Sequence, residues 1–364
     1  MKVLLLGDIS SAHLQKFAIS FSKNGIDVGI FSFNHAEVEW WKNETRITIL
    51  HQTAKKKSSH SIITKLSYLF LIGKLNKAIR FFQPDILHAH YASSYGLLGR
   101  LSGFHPFVIS VWGTDVMKFP LHNVINKYIL TKNLEHADLI FATSNVLKYH
   151  CEKYTTKTTE VIPFGIDLNK FSFTDKIPKN EIIIGCVKSL EPIYRIDLLI
   201  DAFALIHKQI KNITVKLLII GGGSLDKELK SKVNELGLQH SVEFTGKIPN
   251  NEVPSFYKNM DIFCNLSTYE SFGVSIIEAM ACGVPVIATP TDGAKEIIVN
   301  NDLGLIVNSW DKTEIANTMK KLIEDDILRK QISQNAYKYV EINFDWKNSV
   351  FTMIEKYNSL IKKK

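Results

Sequence analysis

The sequence predicts an α/β protein made of two Rossmann-like, doubly wound domains. Short apolar runs alternate with segments of helical period along the chain, which implies parallel sheets covered on both faces. The 364 residues suit two domains of about 100–200 residues each. The alternation lapses over Phe164–Asn180 (FGIDLNKFSFTDKIPKN), a polar stretch with glycine and proline and no periodicity that reads as a linker.

The first apolar run, Lys2–Leu6, ends at Gly7 and reads as a buried strand. Leu14–Asn24 carries Leu14, Phe17, Ala18 and Phe21 at helical spacing, and Gly25 stops that helix. Strands are expected at Val28–Phe33, Ile86–Ala89, Phe107–Val111, Leu139–Ala142 and Glu160–Ile162. Beyond the linker the pattern predicts a strand at Glu181–Val187, a helix at Asp197–Lys211 and a strand at Val215–Ile220. Glycines 221–223 and a helix at Leu225–Leu236 follow. Val242–Phe244, Asp261–Asn265 and Val284–Ala288 read as further strands, with a helix over Phe272–Cys282. Trp346, Val350, Met353, Ile354 and Tyr357 predict a closing helix. The expected division is 1–165, 166–343, and a last helix over 344–364 that returns to the first domain. Open α/β sheets bind ligands at the carboxyl ends of their strands, so two such domains facing each other put the chemistry in a central cleft.

Composition bounds the partners. A formal charge of +8, from 44 basic and 36 acidic residues, suits a nucleotide diphosphate, a phospholipid surface or nucleic acid; a solvated basic surface is the alternative. Cys151, Cys186, Cys264 and Cys282 form no CxxC pair and have no metal-ligand spacing, which argues against a disulfide framework or zinc site and for a reducing compartment. The N-terminus MKVLLLGDIS reads as a strand and not a signal peptide, and Leu66–Gly73 is too short to span a membrane. A soluble chain, or one lying on a membrane, is expected. Ser58–Phe82 carries Lys65, Lys74, Lys77 and Arg80 and follows Lys55–Lys57. It fits a basic amphipathic helix on an anionic membrane, or a core-facing helix with a solvated basic face.

The densest signal is Asn265–Gly283, NLSTYESFGVSIIEAMACG. Glu270 and Glu278 are separated by seven residues, a polar loop ends at Ser271–Gly273, and a helix of small and apolar residues starts there. A helix start offers unpaired N–H groups and partial positive charge, which suits an anion or a set of hydroxyls. Gly273 lets a ligand approach the backbone. The two glutamates could instead be a helix-start carboxylate and a solvated helix residue. Glu278, however, lies between Ile277 and Ala279 in a helix with almost no other polar residue, so its carboxylate needs a partner.

This stretch resembles the Glu-x7-Glu signature of the family 4 glycosyltransferases. Ser267, Glu270, Phe272, Gly273, Glu278, Ala279, Met280, Ala281, Gly283, Pro285 and Val286 match it, and Ser271 stands where the family often has glycine. The resemblance implies the GT-B fold and retaining transfer from a nucleotide-diphosphate sugar. It implies that Glu270 holds hydroxyls of the transferred sugar and that Glu278 holds the ribose. The backbone of Phe272, Gly273 and Val274 would contact sugar or phosphate. Val161–Phe171 resembles the family's linker, with Phe164 in place of the usual Asn. Glu243–Ile248 resembles the turn that holds the nucleobase, which makes Lys247 and Ile248 candidates; Thr291–Glu296 resembles the loop after the next strand, with Gly293 and Glu296. Gly222, in the glycine triplet, is a candidate near the phosphates or part of a tight turn. Asp226 occupies the place a GxGxxG fingerprint needs for glycine.

A diphosphate needs cations. The family's usual Arg and Lys fall here on Ser189 and Tyr194, with Lys188 and Arg195 beside them. Lys188 is the expected phosphate cation and Arg195 the second; either could be an ordinary surface charge. No Asp-x-Asp motif closes a strand, and neither a metal nor a cofactor is expected. In the first half, Gly7–His13 (GDISSAH) offers Ser10, Ser11 and His13 on the acceptor side. Asp85–Gly99 resembles the family's D-x-x-H-x-H turn; His88 and His90 are expected on opposite faces of their strand, one of them structural, with His90 on the acceptor side. Trp112 takes the place of a histidine common in the family's site, and Asp115 is a sugar or acceptor contact or else an N-cap.

The expected activity is transfer of a sugar from a UDP-sugar, favoured over a GDP-sugar, to a saccharide or lipid-linked acceptor in cell-surface polysaccharide or glycolipid synthesis. The expected setting is the cytoplasm, in peripheral contact with the inner face of an anionic membrane and without nucleic acid. A sugar-nucleotide epimerase of the same fold and a non-catalytic nucleotide-sugar-binding protein are the alternatives.

Overall fold

The computed structural model describes residues 1–53, 71–176 and 180–362. The chain divides into two compact units, Met1–Pro163 with Asn348–Lys364, and Phe164–Lys347.

In the first unit the described residues form one parallel sheet. Its strands are β1 (Lys2–Leu6), β2 (Asp27–Phe31), β3 (Ile47–His51), β4 (Ile86–His90), β5 (Phe107–Val111), β6 (Leu139–Ala142) and β7 (Thr159–Val161). Their order is β3-β2-β1-β4-β5-β6-β7, so the winding reverses between β1 and β4. The helices are α1 (Ala12–Lys23), α2 (Ile72–Phe82), α3 (Ser94–Ser102), α4 (Thr114–Met117), α5 (Val124–His136) and α6 (Asn145–Glu152). Leu14, Phe17, Ala18 and Phe21 are the apolar positions α1 buries, as their spacing demands. Strand β3 has no strong sequence signal because it lies at the sheet edge and is only half buried. Helix α2 buries Leu75, Ala78 and Phe82 and exposes Lys74, Lys77 and Arg80, which favours the core-facing reading for this stretch. Lys55–Lys57 and Lys65 lie outside the described residues.

The two strand histidines need a correction. His88 and His90 do not point to opposite faces; their ring centroids are 4.2 Å apart. Side chains alternate along a strand, so residues two apart share a face. His88 sits between the Tyr357 hydroxyl at 2.5 Å and the Ser110 hydroxyl at 2.8 Å. Tyr357 belongs to the closing helix Trp346–Lys362, is fully buried, and lies 5.7 Å from the Phe21 ring. Lys356 adds an ion pair to Glu160 at 2.5 Å. Residues 348–362 are thereby fastened to β4, β7 and α1 of the first unit.

The second unit repeats the plan. Its strands are β8 (Glu181–Val187), β9 (Thr214–Ile220), β10 (Val242–Gly246), β11 (Ile262–Asn265), β12 (Val286–Ala288) and β13 (Leu305–Ile306). All are parallel, in the order β10-β9-β8-β11-β12-β13, with the reversal between β8 and β11. The helices are α7 (Ile196–Gln209), α8 (Asp226–Glu235), α9 (Val253–Asn259), α10 (Val274–Ala281), α11 (Asp292–Ile297), α12 (Lys312–Glu324) and α13 (Asp326–Asn343). Ile184, Ile200, Phe203, Leu217, Ile219 and Ile262 are among its core residues. The start of Phe164–Asn180 is locked to this unit. Ile166 N donates to Phe344 O at 2.7 Å, and Trp346 N donates to Ile166 O at 3.0 Å. A Cβ at Gly165 would meet Trp346 Cα at 2.5 Å, so only glycine fits.

Half-buried His13 and buried His88 and His90 set a pH dependence in the first unit. Burial, and next the neighbouring Lys16, pushes His13 down to about 4. Burial, and next His13, pushes His90 down to about 3. Burial and then His90 hold His88 well below the ordinary value. An unfolded histidine takes up its proton near 6.5, while the folded ones resist, so protons drive unfolding below that value. The stabilisation is complete above about pH 6.5 and drains away toward about pH 3. Urea midpoints of the first unit are expected to fall between pH 7 and 5, with a shallower fall in His90→Leu; an unchanged midpoint would refute the buried neutral cluster.

Candidate active site

The richest cluster of the second unit stands at the carboxyl ends of β8 and β11, on either side of the reversal in strand order. This is where an open α/β sheet leaves room for a ligand. Lys188 follows the last residue of β8, and the loop that follows β11 carries Glu270. The Lys188 ammonium donates to Glu270 Oε2 at 2.5 Å across 82 positions of sequence. The two side chains are only 12% and 17% exposed, so the pair is poorly screened and charge-assisted. The ammonium also lies 5.0 Å from the centroid of Tyr194, the residue at the family's usual lysine position. Asn265, the buried last residue of β11, places Nδ2 3.5 Å from Glu270 Oε2 and accepts from the Ser267 hydroxyl at 2.6 Å.

Glycines hold both partners. Gly221 has φ +142°, and a Cβ there would run into the Lys188 carbonyl oxygen. A Cβ at Gly223 would lie 2.5 Å from the Leu190 carbonyl. Two of the three glycines after β9 therefore seat the lysine loop. Gly222 is the open one, nearest to Lys247 at 3.7 Å. On the other side, Gly293 of α11 donates its N–H to Glu270 O at 2.9 Å, and a Cβ there would be 2.7 Å from Phe272 N. Gly273 is left-handed (φ +100°) and turns the loop into α10, whose start has no side-chain cap bond.

Phe272 is 4% exposed and packs its ring 6.2 Å from Phe164 and 5.8 Å from Phe344, so it can meet a ligand only through its backbone. The aromatic that replaces the usual linker asparagine thus serves this packing. Val274 is half-buried, Lys247 is exposed and Ile248 is half-buried. Arg195, itself left-handed at φ 49°, directs its guanidinium onto Asp197 with two contacts of 3.1 Å. The structure brings Lys188 to Glu270 and leaves Arg195 with Asp197.

Glu278 has the partner its apolar helix requires. Tyr257, on α9 and fully buried, donates its hydroxyl to Glu278 Oε2 at 3.0 Å and lies 3.3 Å from Ser275 O. Burial, and next the Glu278 charge, pushes this phenol well above its ordinary value, so it remains a donor. Tyr257, Asn265 and Tyr194 were not found from the sequence. Only the need of Glu278 for a buried donor pointed toward Tyr257, and it did not say where.

In the first unit, Ser10 bonds Asp8 Oδ1 through both its N–H (2.9 Å) and its hydroxyl (2.6 Å). Ser11 stands at the N-cap position of α1 with no side-chain cap bond. Trp112 lies edge-on to His13 at 5.9 Å and to His90 at 5.1 Å. Neither ring nitrogen of buried His90 meets a hydrogen-bond partner among the described residues. Asp115 needs a correction. It is fully buried, and its carboxylate accepts from the N–H groups of Ala92 (2.8 Å), Gly113 (2.9 Å) and Trp112 (3.1 Å). It ties the loops after β4 and β5 together and is closed to a sugar; the N-cap of α4 is Gly113. Burial raises its pKa, and the N–H groups oppose that shift. Among the described residues no cluster of His, Cys, Asp and Glu is arranged to hold a metal ion.

Two family models match the chain: "Glycosyl transferases group 1" over residues 168–339 and "Glycosyl transferase 4-like" over residues 2–144. The capsular polysaccharide biosynthesis glycosyltransferase CapM of Staphylococcus aureus is 30% identical over 285 residues, 73% of this chain and 68% of CapM. Sucrose-phosphate synthase from Thermosynechococcus elongatus superposes with a TM-score of 0.84 at 19% identity, covering 100% of both chains. Anabaena HepE, solved in complex with UDP-glucose, superposes with a TM-score of 0.78 at 23% identity over 99% of this chain and 100% of that one. The fold they share is GT-B.

Tyr257→Phe keeps the ring and removes one hydroxyl. It should lower the unfolding free energy of the second unit by about 1–3 kcal/mol, because Glu278 loses its buried donor. Urea denaturation reads this, and a change below about 0.5 kcal/mol would show the bond to be idle.

Proposed function

The chain belongs to the family 4 glycosyltransferases, and from that premise we propose that it transfers a sugar, with retention, from a UDP-sugar in preference to a GDP-sugar onto a saccharide or lipid-linked acceptor. The Lys188–Glu270 pair carries this reading. It sets one cation and one carboxylate side by side at the switch point of the second sheet, where a sugar–diphosphate linkage needs both. The ammonium, with two N–H donors beyond the one given to Glu270, meets the diphosphate and takes up charge as it leaves. Glu270 accepts hydrogen bonds from hydroxyls of the transferred sugar, beside the Phe272, Gly273 and Val274 backbone. Glu278 accepts from the ribose, and Lys247 and Ile248 flank the base. Arg195 is a secondary cation.

In this proposal the bond from the anomeric carbon to the diphosphate oxygen breaks as the acceptor oxygen bonds the same carbon from the same face. The acceptor proton passes to the leaving phosphate oxygen. No carboxylate nucleophile is required, and Lys188 supplies positive charge without a metal. Ser10, Ser11, His13 and Trp112 are the acceptor-side groups. His13, pushed down to about 4, works as a neutral hydrogen-bonding ring near pH 7. His90 and Asp115 support them from beneath. The capsular polysaccharide relative supports a cell-surface glycan as the product, and the UDP-glucose bound to HepE supports a nucleotide-sugar donor. Four buried free thiols suit a cytoplasmic protein acting at the inner face of a membrane.

A panel of UDP- and GDP-sugars tested for hydrolysis and transfer decides the class of donor. Glu270→Gln should lower kcat by about 10²–10³-fold while UDP still binds, and Lys188→Ala should weaken UDP binding itself. Equal loss of turnover and nucleotide binding in Glu270→Gln would remove its sugar-holding role. Nucleotide-sugar binding without turnover of any donor would leave a binding protein.

A further inference from the structure

Helix α5 is apolar on two sides, and only one of them is covered. Leu130 and Leu134, with Asn126 and Asn133, pack inward. Outward stand Leu121, Val124, Ile125 and Tyr128, 75%, 82%, 70% and 60% exposed. Val124 and Ile125 open the helix and Tyr128 follows at i+4 and i+3 from them, so the three share one side of its first turns, while Leu121 closes the short turn 119–121 just before the helix. A stripe of three large exposed apolar side chains on one helix face, with a fourth exposed three residues ahead of it, differs from scattered exposed leucines, which need no explanation.

We propose that this stripe and its lysines dock the first unit onto an anionic phospholipid surface. Charge selects the occupant. Between Met117 and Leu134 the charged residues are Lys118, Lys127 and Lys132, all exposed and all basic; Glu135 comes only a turn beyond Lys132. Pairing with a second copy about a twofold axis would set these lysines against their own counterparts. A stable protein partner needs about 20–30 residues a side, far more than this stripe offers. A bilayer matches each feature. Apolar side chains enter the interface, lysines extend their stems toward lipid phosphates, and a tyrosine suits the boundary. The Lys132 ammonium lies 5.6 Å from the Tyr128 ring centroid, so charge and ring form one unit.

Topology adds a second support. Helix α5 leads from β5 back toward β6, so its first turn lies at the carboxyl edge of the first sheet. That edge also carries Ser10, Ser11 and Trp112. A surface docked there would hold a lipid-linked acceptor near the acceptor-side groups. Among the described residues no helix is long and apolar enough to cross a membrane, and this surface needs none. Docking does not depend on the donor chemistry.

Vesicle flotation tests it with the full chain. Wild type should float with vesicles containing about one-third phosphatidylglycerol, far less with pure phosphatidylcholine, and lose binding near 0.5 M salt. Val124→Glu with Ile125→Glu, and separately Lys127→Gln with Lys132→Gln, should each cut the bound fraction at least about tenfold. All four positions lie on the surface, so donor hydrolysis in solution should be unchanged. Loss of hydrolysis in wild type would count against the enzyme reading and leave docking standing. Equal floating of wild type and both variants would overturn the proposal, as would equal affinity for neutral vesicles. A wild-type dimer in light scattering that Ile125→Glu dissolves would assign the stripe to a second copy instead.

Discussion

One ion pair organises the second unit: Lys188 against Glu270 at 2.5 Å. A poorly solvated cation and a poorly solvated anion are each costly alone, and holding them together demands that two loops from non-adjacent stretches of chain stay fixed. The sheet meets that demand by hydrogen-bonding β8 directly to β11. Gly221 and Gly223 bring the exit of β9 onto the lysine loop at distances no side chain tolerates. Gly293 does the same for the glutamate loop, with its N–H bonded to Glu270 O at 2.9 Å. The invariable cost of close backbone packing falls on glycine, and it falls where the charges must not move.

The two glutamates of the same segment are treated differently by their surroundings. Glu270 meets a cation and an amide, so its charge is balanced. Glu278 meets a buried phenol held well above its ordinary pKa, chiefly by burial. A phenol that does not ionise is a permanent donor, and it fixes the carboxylate without neutralising it. The first carboxylate is thus held by an ion pair, the second by a neutral donor.

Much of this was legible in sequence, and the reasons for the failures are physical. Parallel strands buried on both faces are continuous apolar runs, so β1, β4, β5, β8 and β9 stood out, whereas β3 at a half-exposed edge did not. Glu270, Glu278 and Gly273 sit within one short segment and could be read together. Tyr257 lies 21 positions from Glu278, and the pairing becomes visible only once α9 and α10 pack. Asp115 was misread because a short polar side chain after a strand looks the same whether it faces solvent or accepts three backbone N–H groups. The strand histidines were misread through the period itself, since residues two apart share a face.

The first unit builds its candidate surface by the opposite means. Where the second unit balances full charges, the first packs neutral rings together: buried His88 and His90 at 4.2 Å, half-buried Trp112 edge-on to His90 at 5.1 Å, and half-buried His13 beside Trp112 at 5.9 Å. Burial holds these histidines far below their ordinary range, so near neutral pH they contribute shape and dipoles but no charge. The Asp115 carboxylate is spent on backbone N–H groups. A neutral aromatic cluster offers ring faces and dipoles and no net charge. Trp112 in place of a histidine fits these surroundings, because another titratable ring would carry little charge beside His13, His88 and His90, all held below their ordinary range.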